Sequence, residues 1–301
     1  MKIKKIIQII LIVFTFNFLS AEENKESIEN SEKLPIESHL RIASYNLRYK
    51  TDLDIESGNE WDKRKHHIVN IINNYDIEIV GTQEGNFGQM DDLLSLLPNF
   101  DYVGYPYGGT SGTIHTASIL FKKTRFEVMS QGRFWYSETP DIESIGWDAH
   151  DLRICTWARM KDKQNGLQFY FFTSHFYFRY QDARENSGKV MVNKIKEIVI
   201  DDLPIISTGD FNSSPSSHQI NYIKTFLQSA YEVTELSRSG PEETFYPKFK
   251  YDSKNLGRRL DYVFVNKKVH VLTYNVLDYT YDDNRFPSDH LPVVCDLIIK
   301  R

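Results

Sequence analysis

The stretch "RFPSDHLPVV", residues 285–294, places an acid and a histidine side by side immediately before an apolar run. The ionisable neighbours are Asp289 and His290, and the run that follows, 292–299, has the composition of a buried strand. Successive side chains of a strand point to opposite faces. Both groups can therefore reach one pocket only from the loop before the strand. Loops on a rigid scaffold commonly carry function, so the stretch predicts a site at the edge of a core sheet.

Polar side chains stand in the same position at five other strand-like runs. They are Asn46 in "IASYNLRY", Glu84 in "IVGTQEG", His175 in "FFTSHF", Asp210 and Asn212 in "IISTGDFNSSP", and Asp261 in "RRLDYVFV". Each of these residues alone is more often a turn residue, a helix cap or a packed side chain. Their combination is what indicates a common function, because it contains both cation ligands and proton-transferring groups.

Two pairs of residues in this set suggest a division of labour. Glu84 and Asp289 can supply the oxygen ligands that a hard divalent cation requires. Asp261 can hold and polarise His290, which then takes a proton from water. The pairs predict metal-assisted attack of water on an electrophile.

Three of the remaining four residues suit the leaving-group side of such a reaction. Asp210 can protonate a leaving oxygen, and Asn212 and His175 can donate hydrogen bonds to a phosphoryl oxygen. Phosphoester hydrolysis depends mainly on positioning and on stabilisation of charge. The whole set therefore predicts a phosphoester hydrolase.

Strands outnumber helices along the chain. Ten strand-like runs occur at 40–49, 77–84, 100–107, 116–123, 153–160, 168–176, 203–211, 258–265, 270–277 and 292–299. Apolar residues at three- and four-residue spacing predict helices at 60–74 and 181–200. Many strands with few helices favour sheets packed on sheets, with the helices outside.

The N-terminus has the pattern of a targeting segment. Lys2, Lys4 and Lys5 precede an apolar run that ends in small residues at Ala21, which predicts a signal peptide over 1–21. The alternative is an uncleaved membrane anchor, but the apolar run is short for one. We expect a polar spacer over 22–38, a single domain over 39–301, and a secreted or periplasmic protein without stable membrane insertion after processing.

Charge and cysteine content narrow the function classes. Removal of three of the 36 Lys and Arg residues with the signal peptide leaves 33 against 41 Asp and Glu residues, a formal charge of −8. A protein that grips long nucleic acid through its backbone is usually basic, so tight binding of this kind is disfavoured. Cys155 and Cys295 lie in apolar runs, which predicts buried thiols; a disulfide is the alternative for an exported chain.

The motifs "YNLRY", "TQEG", "TSHF", "GDFNSSP", "RRLDYVFV" and "SDHLPVV" extend in order from about residue 40 to the C-terminal end. In this order the chain resembles the endonuclease/exonuclease/phosphatase superfamily, which includes pancreatic DNase, exonuclease III-like nucleases, neutral sphingomyelinases and inositol-phosphate phosphatases. Stretches such as "EWDKRK" and "GWDA" resemble a secreted or periplasmic bacterial branch. The resemblance implies an α/β (α+β) fold, a four-layer sandwich of two stacked mixed β-sheets flanked by helices, with the site at one edge.

The resemblance also implies roles for individual residues. It places the metal, Mg²⁺ with Mn²⁺ as a substitute, beside Asn46, Glu84 and Asp289. It implies a catalytic set of His175, Asp210, Asn212, Asp261 and His290. Base and acid roles within that set stay open, since His290 is either the general base or a phosphate contact, and Asp210 either protonates the leaving group or orients the nucleophile.

Four positions depart from relatives of this family. Arg48 stands where some nucleases have an acid, which disfavours a second metal there. Tyr177 and Phe178 replace an acid and a histidine that are frequent in related bacterial chains. His115 lies where relatives often carry an acid or another polar group. These departures bear on the choice of substrate.

The substrate is the most open question. Trp147, in an aromatic loop, and Arg184, on the helix after His175, are expected to contact it. The leading hypothesis is an exported Mg²⁺-dependent phosphodiesterase or nuclease, with a phosphoester and nucleic acid among its expected partners and no protein partner inferred. The alternatives are a phosphatase acting on a small phosphorylated sugar or lipid headgroup, and a catalytically silent binding module. A compact aromatic pocket would favour the phosphatase over the nuclease.

Overall fold

The computed structural model describes residues 36–109, 114–252, 254 and 257–300. The predicted signal peptide lies outside the described residues, as does most of the predicted spacer. Residues 37 and 38, the end of that spacer, already belong to the first strand. Within the described ranges, no helix is both long enough and apolar enough to cross a membrane.

Strands and helices alternate along the described chain. In order they are β1 (Glu37–Asn46), α1 (Leu53–Glu56), α2 (Trp61–Asn74), β2 (Ile79–Gln83), α3 (Phe87–Leu96), β3 (Phe100–Pro106), β4 (Thr116–Lys122), β5 (Phe126–Trp135), β6 (Ile154–Asp162), β7 (Gln168–His175), α4 (Gln181–Ile198), β8 (Ile205–Asp210), α5 (His218–Ile223), β9 (Gln228–Ser229), α6 (Ala230–Val233), β10 (Ser237–Ser239), β11 (Asp261–Val265), β12 (Val269–Val276), a 3₁₀ turn (Asp282–Asn284) and β13 (Val293–Lys300).

The strands form two mixed sheets. The first has the order β10-β12-β13-β1-β2-β4-β3, and the second has the order β5-β6-β7-β8-β11-β9. At the centre of the first sheet β1 runs parallel to β2, and at the centre of the second β7 runs parallel to β8. The neighbouring pairs β1–β13 and β8–β11 are antiparallel. Each sheet therefore contributes a parallel pair whose carboxyl ends lie at one edge.

Three apolar clusters hold the layers together. The inner faces of the two sheets bury residues such as Ile42 and Phe171 against each other. On the outer face of the first sheet, α2 and α3 cover residues such as Val80, and on the outer face of the second, α4 and α5 cover residues such as Phe172. Burial of these alternating faces is the main favourable free energy of such a fold.

Hydroxyl and amide groups bridge the two sheets near the edge that carries the polar strand ends. Ser44 on β1 accepts a hydrogen bond from the backbone of Gly209 on β8, at 3.0 Å. Gln83 on β2 donates to the hydroxyl of Thr173 on β7, at 2.9 Å. A Cβ on Gly81 would overlap the Thr208 hydroxyl. Small residues thus let the sheets approach closely, and their polar atoms are paired across the gap.

The predicted fold is confirmed: two stacked mixed β-sheets lie between helices in four layers. All ten strand-like runs correspond to strands, and the two predicted helices correspond to α2 and α4. The strand β5 and the helix α3 were not among the predictions. The prediction of buried thiols is also confirmed, since Cys155 and Cys295 are both free and buried.

Candidate active site

The strand ends bring the predicted polar residues to one edge of the sandwich. Asn46 ends β1, and Glu84 follows the last residue of β2. In the second sheet, Asp210 at the end of β8 is in register with His175 on β7 and with Asp261 on β11. Since the two sheets face each other, these strand ends surround a common space.

The loop before β13 completes this arrangement with an aspartate–histidine pair. His290 Nδ1 lies 2.8 Å from Asp261 Oδ2, and the Thr244 hydroxyl donates to the same carboxylate at 2.6 Å. Burial lowers the pKa of His290, but the negative charges of Asp261 and Asp210 outweigh burial and raise the pKa to about 10. The imidazole is therefore cationic at neutral pH.

Asp210 stands at the centre of the cluster. Its Oδ1 accepts a hydrogen bond from the backbone N–H of Asn212 at 2.9 Å, and its Oδ2 accepts one from Asn46 Nδ2 at 3.0 Å. Burial and the nearby negative charge of Asp261 raise its pKa to about 7, against the opposing effect of His290. A carboxyl group with this pKa can both accept and donate a proton near neutrality.

His175 has a neutral partner at Nδ1, whereas its Nε2 lies 3.4 Å from Asp210 Oδ2. Its Nδ1 lies 2.6 Å from the Tyr107 hydroxyl, and its Nε2 lies 3.1 Å from Asn212 Nδ2. The same amide nitrogen donates to the Phe176 carbonyl at 3.0 Å, so we assign Asn212 as the donor and Nε2 as the acceptor. Burial lowers the pKa of His175 well below its ordinary value, which keeps this imidazole neutral.

Glu84 is held in a backbone conformation that few non-glycine residues adopt. Its φ is +66°, its backbone N–H donates to the Tyr107 hydroxyl at 3.2 Å, and its carboxylate accepts from Asn46 at 3.2 Å and from the Tyr49 N–H at 3.3 Å. Local strain of this kind is frequent at functional sites. Here it directs the carboxylate toward Asp210.

The charge of the cluster fits a bound divalent cation. Burial raises the pKa of Asp289, and the negative charge of Glu84 adds to this effect. Asp210 is a third carboxyl group in the same cavity. Carboxylate oxygens are the ligands that hard cations prefer, and a cation would relieve the repulsion among these groups. The donor set therefore suits Mg²⁺ or Mn²⁺, although it does not distinguish them.

Ligand-forming atoms come together in two groups that differ from the predicted metal set. Glu84, His175 and Asp210 have such atoms within 4.8 Å of one another, as do Asp210, Asp261 and His290. Asn46 presents its amide nitrogen to the carboxylates, while its oxygen accepts from the Arg48 N–H at 3.0 Å. The ligand roles of Asn46, Glu84 and Asp289 stay predictions.

The cluster opens into a cavity of about 420 Å³. Residues outside the predicted set also line it: Arg48, Tyr49, His115, Asp151, Arg153, Phe178, Phe245 and Arg258. The departures at Arg48, His115 and Phe178 thus face the site. Asp151 and Phe245 lie outside the sequence motifs, and Arg258, at the start of "RRLDYVFV", has a residue type that does not by itself indicate a site.

The two residues expected to contact substrate do not line this cavity. Arg184 donates to the carbonyls of Phe178 and Asn212, at 3.3 and 3.4 Å, and so supports the cavity wall from behind. The backbone N–H of Trp147 donates to the Glu138 carboxylate. Substrate contact by Arg184 or Trp147 stays a prediction that the cavity lining does not support.

A buried carboxylate cluster with one cationic and one neutral histidine, at the edge of a four-layer sandwich, defines a metal-dependent phosphoester hydrolase by fold and chemistry. The model of the endonuclease/exonuclease/phosphatase family matches residues 43–290. The chain belongs to this family.

Similarity to known proteins covers most of the chain. A crystal structure of a family protein from Bacteroides thetaiotaomicron is 34% identical, with a TM-score of 0.82, over 88% of this chain and 99% of that one. A mannosyl-6-phosphatase from Bacteroides thetaiotaomicron VPI-5482 is 34% identical, with a TM-score of 0.80, over 86% and 99%. An uncharacterized protein, L388, from Acanthamoeba polyphaga mimivirus is 26% identical over 275 residues, 85% of this chain and 98% of that protein.

Proposed function

We propose that the protein is a metal-dependent phosphatase that hydrolyses a phosphomonoester of a small polyhydroxylated molecule such as a sugar. The observation that carries this proposal is the size of the site, a cavity of about 420 Å³. Cavities of this size suit small molecules, whereas a nuclease needs a surface that follows a nucleic acid backbone. The cavity thus favours the phosphatase hypothesis over the phosphodiesterase or nuclease hypothesis.

Aromatic and charged side chains of the lining agree with a small phosphorylated ligand. Tyr49 and Phe245 are aromatic residues of the lining, and Arg153 and Arg258 contribute positive charge. The whole chain has a formal charge of −5, which disfavours binding of a long polyanion. The mannosyl-6-phosphatase that shares 34% of its sequence with this chain is an additional argument for a sugar phosphate.

The proton transfers fall to Asp210 in this proposal. Its pKa of about 7 lets it exchange a proton with the attacking water or with the leaving oxygen. His290 is cationic because of its raised pKa of about 10, so its Nε2–H donates to a phosphoryl oxygen. Of the two roles that the sequence left open for His290, the phosphate contact is therefore favoured over the base.

Three further residues complete the site. Asn212, whose amide faces His175 and the Phe176 carbonyl, holds Asp210 through its backbone N–H. Glu84 and Asp289 would hold the cation, which when bound supplies positive charge to the phosphoryl oxygens. Proton transfer and contact with the phosphoryl group depend on the side chains of this protein.

A substrate panel tests the proposal. The purified full chain with Mg²⁺ would be assayed on hexose phosphates, bis-p-nitrophenyl phosphate, sphingomyelin, single-stranded DNA and RNA, with His290→Ala as the inactive control. We expect kcat/KM for at least one hexose phosphate to exceed that for every diester by about tenfold or more. Faster hydrolysis of DNA, RNA or another diester would contradict the phosphatase proposal.

We also propose that the chain is exported and cleaved after Ala21. The charged start, the apolar run and the small residues at its end support this proposal. Mass spectrometry of the protein from its native host should give a mature N-terminus at Glu22. An intact Met1 on membrane-bound material would contradict cleavage.

A further inference from the structure

Arg153, at the wall of the active-site cavity, is a buried cation that has no polar partner among the residues that the structure describes. Only 9% of its surface is exposed, and its Nε is fully buried without a hydrogen bond. Among the described residues, its guanidinium forms no hydrogen bond or ion pair within the ordinary distance limits. Buried charges are usually paired, because burial of an isolated charge is unfavourable. The missing partner therefore requires an explanation.

The other buried arginines of the described chain each have at least one polar partner, although the Nε of Arg259, like that of Arg153, has none. Arg64 donates to four backbone carbonyls, including those of Asn59 at 2.7 Å and Leu47 at 2.8 Å. Arg259 pairs with Glu242 at 3.4 Å. Arg153 differs from both although its burial is similar. The fold thus supplies partners for buried guanidinium groups elsewhere and supplies none here.

Aromatic rings hold the Arg153 side chain in place. Its guanidinium carbon lies 5.5 Å from the centre of the Tyr107 ring and 5.7 Å from the centre of the Tyr177 ring. Such contacts favour a cation and restrict its position, yet they leave its N–H groups without acceptors. A guanidinium ordered in this way is preorganised for an external anion.

Arg153 also stands beside both imidazoles on its side of the cavity. The Tyr107 ring that it contacts lies 5.7 Å from the ring of His175 and 5.9 Å from that of His115. Arg153, His115 and Asp151 line two adjoining cavities, the catalytic one and a side cavity of about 330 Å³. Arg153 therefore lies where the catalytic cavity meets the side cavity.

We propose that Arg153 binds a phosphoryl oxygen of the substrate and that its charge favours a dianionic phosphomonoester over a monoanionic phosphodiester. This inference rests on the proposed function and names the charge state that the site selects. The planar guanidinium can donate two parallel hydrogen bonds to a phosphoryl group. A monoester carries one more negative charge than a diester, so loss of the guanidinium should affect the monoester more.

A pair of chromogenic substrates with the same leaving group tests this selection. Arg153→Met keeps an apolar side chain between the rings and removes the charge. With Mg²⁺ present, we expect it to lower kcat/KM for p-nitrophenyl phosphate by about a hundredfold and for bis-p-nitrophenyl phosphate by less than about tenfold. Equal losses on both substrates, or no loss on either, would overturn the proposed selection.

Arg133 provides a matched control. It is an exposed arginine that also lies between two rings, 4.9 Å from the centre of Tyr105 and 4.7 Å from that of Trp135, and it does not line the catalytic cavity. Arg133→Met should leave both kcat/KM values unchanged. A loss equal to that of Arg153→Met would indicate a structural effect and contradict the proposal.

Binding of inorganic phosphate, measured by calorimetry with Mg²⁺, separates this inference from the proposed function. Arg153→Met should weaken binding by about tenfold or more, while Arg133→Met should not. If Arg153→Met fails to fold, Arg153→Gln decides the matter, because it keeps a polar side chain and removes the charge, and unchanged phosphate binding would then contradict the proposal. Should the wild type hydrolyse only diesters, the proposed function fails, and loss of phosphate binding in Arg153→Met would still establish the phosphoryl contact.

Discussion

The two histidines of the site differ in the group that faces Nδ1. His290 Nδ1 faces the carboxylate of Asp261 at 2.8 Å, whereas His175 Nδ1 faces the hydroxyl of Tyr107 at 2.6 Å. The carboxylate stabilises an imidazolium, and the phenol does not. The cluster thus contains a cationic hydrogen-bond donor, His290, and a neutral acceptor, His175. A cationic donor suits contact with a phosphoryl oxygen, and a neutral acceptor suits proton transfer.

The Asp261–His290 pair should behave as one unit. Asp261→Asn and His290→Ala should each lower kcat/KM by about 10²–10⁴-fold, and the double variant should be little worse than either single variant, because residues that act together are strongly non-additive. Steady-state kinetics of the three variants at saturating Mg²⁺ measure this. Asp296→Asn, in an ion pair with Arg41 far from the cavity, is the control. Losses that multiply would show that the two residues act separately.

Asp210 should make the unfolding free energy depend on pH. Its folded pKa, about 7, is above its ordinary value of 3.8, so the folded protein binds this proton more tightly than the unfolded chain. The resulting stabilisation is present below pH 3.8 and is lost as the pH rises to about 7. In EDTA, wild type should therefore lose on the order of 1–3 kcal/mol more than Asp210→Asn between pH 5 and pH 8. Urea unfolding at both pH values measures this difference, and equal losses would contradict the raised pKa.

The catalytic and metal-binding residues could be predicted from the sequence for two reasons. Their side chains are carboxylates, amides and imidazoles, and each lies where a strand-like run meets a loop. The eight predicted metal-binding and catalytic residues lie in one cluster for that reason. Tyr107 and Arg153 could not be predicted as site residues, because their neighbours in the sequence do not distinguish them from residues that only pack in the core. Their importance depends on which rings and cavities surround them, and those surroundings are set by strands that are distant in sequence.

At the scale of elements, the central strands of the two sheets approach closely where the site forms. A Cβ on Gly81 of β2 would overlap the hydroxyl of Thr208 on β8 and would lie 2.9 Å from that of Thr173 on β7. Any side chain at this position would push the sheets apart. Since Glu84 directly follows β2 and Asp210 ends β8, the spacing of the strands determines the spacing of the two carboxylates.

Gly81→Ala should therefore destabilise the protein by about 1–3 kcal/mol, the usual effect of overpacking, and should also lower activity. Thr208→Ala removes the nearest overlapping atom, so the double variant should be more stable than the sum of the two single effects. Thermal or urea unfolding of the three variants measures the coupling. Additive losses would contradict the steric explanation.

Elements with a clear hydrophobic period were predictable, and those without one were not. The strand β5 has an exposed, polar central portion, so its sequence lacks the continuous apolar run of the other long strands. The helix α3 is short, but it begins with a capping box in which Asn86 and Gln89 satisfy each other's backbone N–H groups. That Asn-x-x-Gln spacing was the signal that could have identified it.

At the scale of the molecule, the order of the motifs was enough to predict the sandwich, because it resembles the order in the endonuclease/exonuclease/phosphatase superfamily, and that resemblance implies the fold. The cavity could not be predicted in the same way. Asp151, Phe245 and Arg258 also line the cavity. They lie on connections between strands, and the paths of these connections depend on the assembled sheets. The size of the cavity is also the reason why the phosphatase hypothesis is now favoured over the phosphodiesterase or nuclease hypothesis.

The central claim is that the carboxylate cluster binds a divalent cation and uses it to hydrolyse a phosphoester. Glu84→Gln tests this claim most directly, because it keeps the shape of the side chain and removes its charge. We predict weaker Mg²⁺ binding by calorimetry, a loss of about a hundredfold or more in kcat/KM, and an unchanged circular dichroism spectrum. Wild-type Mg²⁺ affinity together with near-wild-type turnover at limiting Mg²⁺ would contradict the claim.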